Sequence, residues 1–172
     1  MFGLFKPKRA PEGPVCIELD VEIAKSAHEV YPLIDWADDR NAKRATGHMV
    51  APLGTDGRRW RMVMETMPDL AFDYEVTEGQ PGRVYAFTCS IQPKVGRLVS
   101  SSERYTLEPL GEDRCLLTLL TEAEFDAGLR QSEWLCEVQM MTAATQSASQ
   151  KFRIQAEAGA AAAKALDNHT VI

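Results

Sequence analysis

VCIELDVEIAKSAHEVYPLIDWADD, residues 15–39, passes from one periodicity to another within a single short stretch. Its first nine residues alternate: Val15, Ile17, Leu19, Val21 and Ile23 share one face, and Cys16, Glu18, Asp20 and Glu22 share the other. A period of two is that of a half-buried strand. Ser26, followed three residues later by Glu29, then forms a capping box that starts a helix. Val30, Leu33, Ile34 and Trp36 supply its apolar stripe at spacings of three and four. Pro32 lies past the first turn, so it removes one backbone bond and is expected to bend the helix. A second short helix is expected over roughly 38–45.

Beyond this opening the chain is strand-rich as far as about residue 126. RRWRMVMETM (58–67) alternates, with Trp60, Met62 and Met64 on one side and Arg59, Arg61 and Glu65 on the other. LAFDYEV (70–76) sets Phe72, Tyr74 and Val76 opposite Asp73 and Glu75, with a hairpin turn expected at Pro68-Asp69. RVYAFTCSI (83–91), GRLVSSSERYTLEPL (96–110) and RCLLTLLTEAEF (114–125) follow, separated by short turns. Consecutive strands with short turns form an antiparallel meander. From about 130 the pattern becomes helical. Leu135, Val138, Met141, Thr145, Ala148, Phe152, Ala156, Gly159, Ala163 and Leu166 make one long stripe, with a break expected at Gly159.

The order is therefore strand, two short helices, a strand-rich run read as six strands (five of them delimited above) and a long helix. An antiparallel sheet with one polar face must bury the other, and the C-terminal helix is long enough to cover it. The expected fold is α+β: a seven-stranded curved antiparallel sheet wrapped around that helix, with the two short helices closing one end. Residues 15–166 form the single domain, between a flexible arm (1–14) and a disordered tail (167–172).

The totals narrow the function classes. The chain has 172 residues and a net charge of −6, which fits one domain and disfavours a nucleic-acid footprint. Cys16, Cys89, Cys115 and Cys136 form no CxxC pair and fall in apolar periodic stretches, so buried, reduced thiols are expected. Residues 1–14 lack the apolar run of a signal peptide, and no segment has the length and apolarity of a membrane span, so a cytoplasmic protein is expected.

His28, Glu29, Asp35, Asp38 and Asp39 invite a metal-site reading. A zinc helix would need a second histidine one turn on, and that position is Pro32. Only His28, His48 and His169 are available, so neither a metal nor another cofactor is expected. No Gly-x-Ser-x-Gly is present, and the glycines at 54 and 57 mark an ordinary turn rather than a phosphate cradle.

The inward face of the meander is more informative. Trp60, Met62, Met64, Phe72, Tyr74, Phe87 and Tyr105 would face Met141 and the small residues Thr142, Ala143, Ala144, Thr145, Ser147, Ala148 and Ser149 of the helix. Large residues opposite small ones give either a filled core or an apolar pocket with a few polar anchors. Glu103 interrupts this face, because the parity that points Tyr105 and Leu107 inward points Glu103 inward too. A carboxyl there would have a raised pKa and could act as a general acid or base. The alternatives are a bulge that turns it outward or a cross-strand pair with Arg61.

VCIELDVEIAKSAHEVYPLIDWADD and ERYTLEPLGEDRCLLTLLTE (103–122), in this order of elements, resemble the helix-grip fold of the START and birch-pollen-allergen-like superfamily (SRPBCC). Within it the chain is similar to the polyketide cyclase/dehydrase-like group, over roughly residues 15–157. The resemblance implies a small hydrophobic ligand (a lipid, sterol or polyketide) held between sheet and helix by a monomer or homodimer. It leaves open a cyclase/dehydratase-like enzyme using Glu103, Tyr74 or Tyr105, and a protein-interaction module working through the long helix.

Overall fold

In the computed structural model, which describes residues 8–167, the opening alternation becomes strand β1 (Val15–Ile23), with every second side chain exposed. Helix α1 (Ala27–Ile34) follows with both halves of the capping box formed: the Ser26 hydroxyl accepts from the Glu29 backbone N–H, and Glu29 accepts from the Ser26 backbone N–H. Pro32 stands two residues before the helix ends. Trp36 is therefore outside the helix, yet it is only 3 % exposed. Helix α2 is a single turn, Ala42–Ala45, shorter than the sequence suggests.

Six further strands complete the sheet: β2 (Met49–Pro52), β3 (Arg59–Met64), β4 (Met67–Gln80), β5 (Val84–Gln92), β6 (Leu98–Pro109) and β7 (Cys115–Phe125). All pair antiparallel in the order β1-β7-β6-β5-β4-β3-β2, so β1 and β2 form opposite edges. The α1–α2 segment carries the chain between those edges. The turn of the β3–β4 hairpin is at Glu65-Thr66 rather than at Pro68-Asp69. Pro68 and Asp69 lie in a bulge, where the register shifts from Val63↔Ala71 to Met64↔Met67. A bulge tolerates proline for the same reason a turn does: its backbone nitrogen has no ladder bond to make.

Helix α3 (Gln131–Ala158) packs against β1, β7 and α1. It ends at Gly159, whose φ of 88° suits glycine, and α4 (Ala160–Asp167) turns back on α3. Thr145, Ser149, Phe152 and Gln155 are its buried residues, while Leu135 (46 % exposed) and Met140 (53 %) stand in solvent. The expected stripe is thus buried only along its later turns. Residues 8–10 of the arm are tied to the start of α3: the Ala10 N–H donates to the Leu129 carbonyl, and the Gln131 N–H donates to that of Lys8. The expectations for residues 1–7 and for the tail from 168 lie outside the described residues.

The core is continuous. Ile23, Val30, Ile34, Trp36, Trp60, Met62, Tyr74, Phe87, Tyr105, Leu107, Leu117, Leu119 and Phe152 belong to one buried cluster between the concave sheet face and the helices. Among the described residues no helix is long and apolar enough to cross a membrane.

Candidate functional site

The site is built from side chains that strand parity sends inward. On β6, Glu103 sits opposite Phe87 of β5 and Thr121 of β7, both buried. Tyr105, two residues on, shares its face and donates its hydroxyl to Glu103 Oε2. Across the neighbouring strands Tyr74, Cys89 and Ser101 are paired in register, Tyr74 with Cys89 and Cys89 with Ser101. A row of polar groups therefore crosses an otherwise aromatic surface.

Sheet and helices enclose a cavity of about 80 Å³ at this row. Tyr74, Phe87, Glu103 and Tyr105 line its sheet side; Leu33, Ile34 and Trp36 its roof; Ala148 and Phe152 its α3 side. Asn41 and Lys43 complete the wall near α2. The aromatic rings interlock: Trp36 stacks on Tyr74 at 4.2 Å between centroids, and Phe152 meets Tyr105 edge-on at 5.4 Å. An apolar cavity of about 150 Å³ is enough for benzene. This space is smaller, so a ligand with two fused rings requires roof or α3 side chains to move.

Burial sets the protonation chemistry. It pushes the Glu103 carboxyl up, while the Tyr105 hydrogen bond and the Lys43 charge act in the opposite direction. Glu103 retains partial accessibility because it borders the cavity. Tyr105 and Tyr74 are held well above the ordinary phenol range, first by burial and also by the Glu103 charge. The Cys89 thiol is pushed up to about 12, chiefly by burial. Tyr74, Tyr105 and Cys89 therefore stay protonated at neutral pH, and the Glu103 carboxyl is shifted upward from the ordinary carboxylate range.

The inward residues named from sequence divide into two groups. Tyr74, Phe87, Tyr105 and Glu103 come together at the cavity. Trp60, Met62, Met64 and Phe72 share the sheet face but pack in or against the core further toward the β2 edge. Trp60 has its own partner, since its indole N–H donates to the Gly57 carbonyl at 3.1 Å. Arg61 pairs with Asp73 at 2.6 and 2.7 Å, so it is not the partner of Glu103. Thr145 faces β7: its hydroxyl donates to the Met141 carbonyl (2.9 Å) and lies 3.3 Å from the Thr121 hydroxyl. Its hydrogen-bonding capacity is thus spent inside the helix and at the sheet contact. Met141 is half-buried on α3 and does not line the cavity.

Sequence reasoning overlooked Asn41, Lys43 and Phe152 as site residues. Phe152 was legible only as a member of a helical stripe, whereas Leu33, Ile34 and Trp36 belong to the apolar face expected to close the end of the cavity, and they line it. Asn41, 2 % exposed, donates to the Ile34 and Asp35 carbonyls and accepts from the Lys43 N–H, so it fixes the roof. The residue that opened the metal question, His28, packs on the turn at Gly82, where an added Cβ would lie 2.7 Å from its ring. Among the described residues, no three His, Cys, Asp or Glu side chains converge as metal ligands.

No protein-family model matches the sequence, and no curated protein matches it. Solved structures do. The aromatase/cyclase ZhuI from Streptomyces sp. R1128 superimposes with a TM-score of 0.63 at 14% identity, over 85% of this chain and 98% of that one. DynU16, from the dynemicin biosynthetic locus, gives 0.62 at 20% identity over 84% of this chain; the match spans only 48% of DynU16, about half its length. A START superfamily protein from Mycobacterium smegmatis gives 0.52 at 17% identity, over 75% of this chain and 91% of that one. At such identities the likeness is one of fold. The chain carries the helix-grip fold, the fold these solved structures share.

Proposed function

We propose that this protein binds a small, mainly aromatic molecule in the cavity between the concave sheet face and α3, with Glu103 and Tyr105 as its polar anchor. The hydrogen-bonded Glu103–Tyr105 pair on an aromatic wall carries this reading. A buried carboxyl is costly as a structural filler and useful as a ligand anchor. The net charge of −6 favours a small molecule over nucleic acid as partner, and the buried thiols Cys89 and Cys115 suit a reducing, cytoplasmic setting. A monomer or a homodimer fits equally.

Titration with 1-naphthol, followed by intrinsic fluorescence and by thermal shift, tests the reading. Saturable binding that weakens in Glu103→Gln and Tyr105→Phe is expected. If neither 1-naphthol nor comparable one- and two-ring aromatics saturate at millimolar concentration, the reading is lost.

The upward-shifted carboxyl favours a second reading, a cyclase/dehydratase-like enzyme on polyketide-type substrates. As the acid, Glu103 would protonate a ligand carbonyl oxygen, and the Tyr105 hydroxyl would stabilise the carboxylate left behind. As the carboxylate, held by the same hydroxyl, it would take up an adjacent carbon-bound proton and become the acid. Turnover of a poly-β-carbonyl compound that proceeds unchanged in Glu103→Gln would remove this role.

A further inference from the structure

Trp36 is held with unusual completeness for a residue outside any helix or strand. Its backbone N–H donates to the Tyr85 hydroxyl at 3.1 Å, and its carbonyl accepts from Arg44 at 3.0 Å. The ring lies against Tyr74 and meets Phe87 edge-on at 5.5 Å. Its indole N–H is the exception: it is buried and has no hydrogen-bond partner among the described residues. The other core tryptophan, Trp60, is buried to a similar degree, and its N–H does reach a carbonyl. Buried indole N–H groups normally find partners, because stranding a donor forfeits its hydration without return. Trp36 is also a wall residue of the cavity, roofing the space whose floor holds Glu103 and Tyr105.

We propose that the Trp36 indole N–H is a specificity-determining donor, which selects aromatic ligands carrying a hydrogen-bond-accepting oxygen, such as an aryl ketone, over hydrocarbons of the same shape. This rests on the reading of the cavity as a ligand site and adds a second polar anchor, on the roof. The ligand would then be gripped from two sides. Its rings fill the space between Tyr74, Phe87 and Phe152, and its oxygen meets the roof.

1-Indanone and indane, which share a skeleton and differ by one ketone oxygen, separate the two claims. Wild-type protein labelled with nitrogen-15 is titrated with each and followed by two-dimensional NMR. The Trp36 indole cross-peak, assigned by its loss in Trp36→Phe, is expected to move downfield with indanone and to stay with indane. Indanone is expected to bind about five- to tenfold more tightly, as one added hydrogen bond implies. In Trp36→Phe that preference should fall to about one. Comparing the ratio within each variant cancels the effect of the enlarged cavity on both ligands. If Trp36→Phe does not fold, benzothienylalanine at position 36, which keeps the ring and lacks the N–H, provides the same comparison. A preference that survives loss of the N–H, or an indole peak that ignores indanone, overturns the role of Trp36 and leaves the cavity reading standing. Failure of both ligands to bind overturns the cavity reading, and this inference with it.

Discussion

Glu103 gains Tyr105 and the charge of Lys43 as partners but loses water, and the loss of water dominates. A carboxyl whose folded pKa lies above its unfolded value stabilises the protein fully below the unfolded value. That contribution is lost as pH rises through the folded value. Glu103→Gln stays neutral throughout, so its stability relative to wild type should climb with pH from about 4.5 upward, to a plateau above the folded pKa. Urea unfolding of both proteins from pH 4 to 8 measures this, and a pH-independent difference would contradict it. Tyr105→Phe removes the hydroxyl donor, which should cost about 1–2 kcal/mol and move the Glu103 titration further up, as seen by carbon-13 NMR of its carboxyl. The thiols should divide as their exposure does. Against the expectation of four buried thiols, Cys16 and Cys136 are exposed, because Cys16 alternates onto the outer face of β1 and Cys136 lies near the exposed start of α3. Cys89 and Cys115 are buried with their thiols pushed up. Native protein at pH 8 should therefore give two fast equivalents with a thiol reagent, and four only on unfolding.

At the scale of elements, the joint between α1 and α2 decides whether a roof exists at all. Asn41 holds it with three hydrogen bonds made to backbone groups. Asn41→Ala strands those groups in a buried place, and a loss of about 3 kcal/mol is expected from chemical denaturation. Ser26→Ala at the start of α1 should cost less, about 1 kcal/mol, because a cap on an exposed helix end can be replaced by water. These elements were legible in the sequence to different depths. The β1 alternation and the capping box of α1 are local signals, and both elements form where the pattern places them. Pro68-Asp69 signalled irregular backbone correctly but not its kind, since a bulge and a turn both tolerate a residue without an N–H. Leu135 continued the helical stripe in sequence, yet it is exposed, because periodicity records which face a residue occupies and not how far the sheet extends beneath it.

For the molecule as a whole, the main question is whether the grip encloses a space or fills it. The rings of Trp36, Tyr74, Phe87, Tyr105 and Phe152 interlock and leave about 80 Å³. Phe152→Ala should therefore cost about 3–5 kcal/mol in the absence of ligand. The same substitution should tighten binding of two-ring aromatics, which then find room without displacing a side chain. Paired thermal melts and 1-naphthol titrations measure both effects, and weaker binding by the variant would contradict the placement of the ligand. By itself, the sequence determined the order of elements and the faces of the strands, because each depends on periodicities of two or 3.6 residues within one segment. For Glu103 it left an inward carboxyl, a bulge and an Arg61 pair all open. The cavity's size, the stacking of Trp36 on Tyr74, the closure by Phe152 and the stranded indole N–H were decided only by the tertiary structure. They depend on how side chains far apart in the chain interdigitate, and packing of that kind leaves no local period to read.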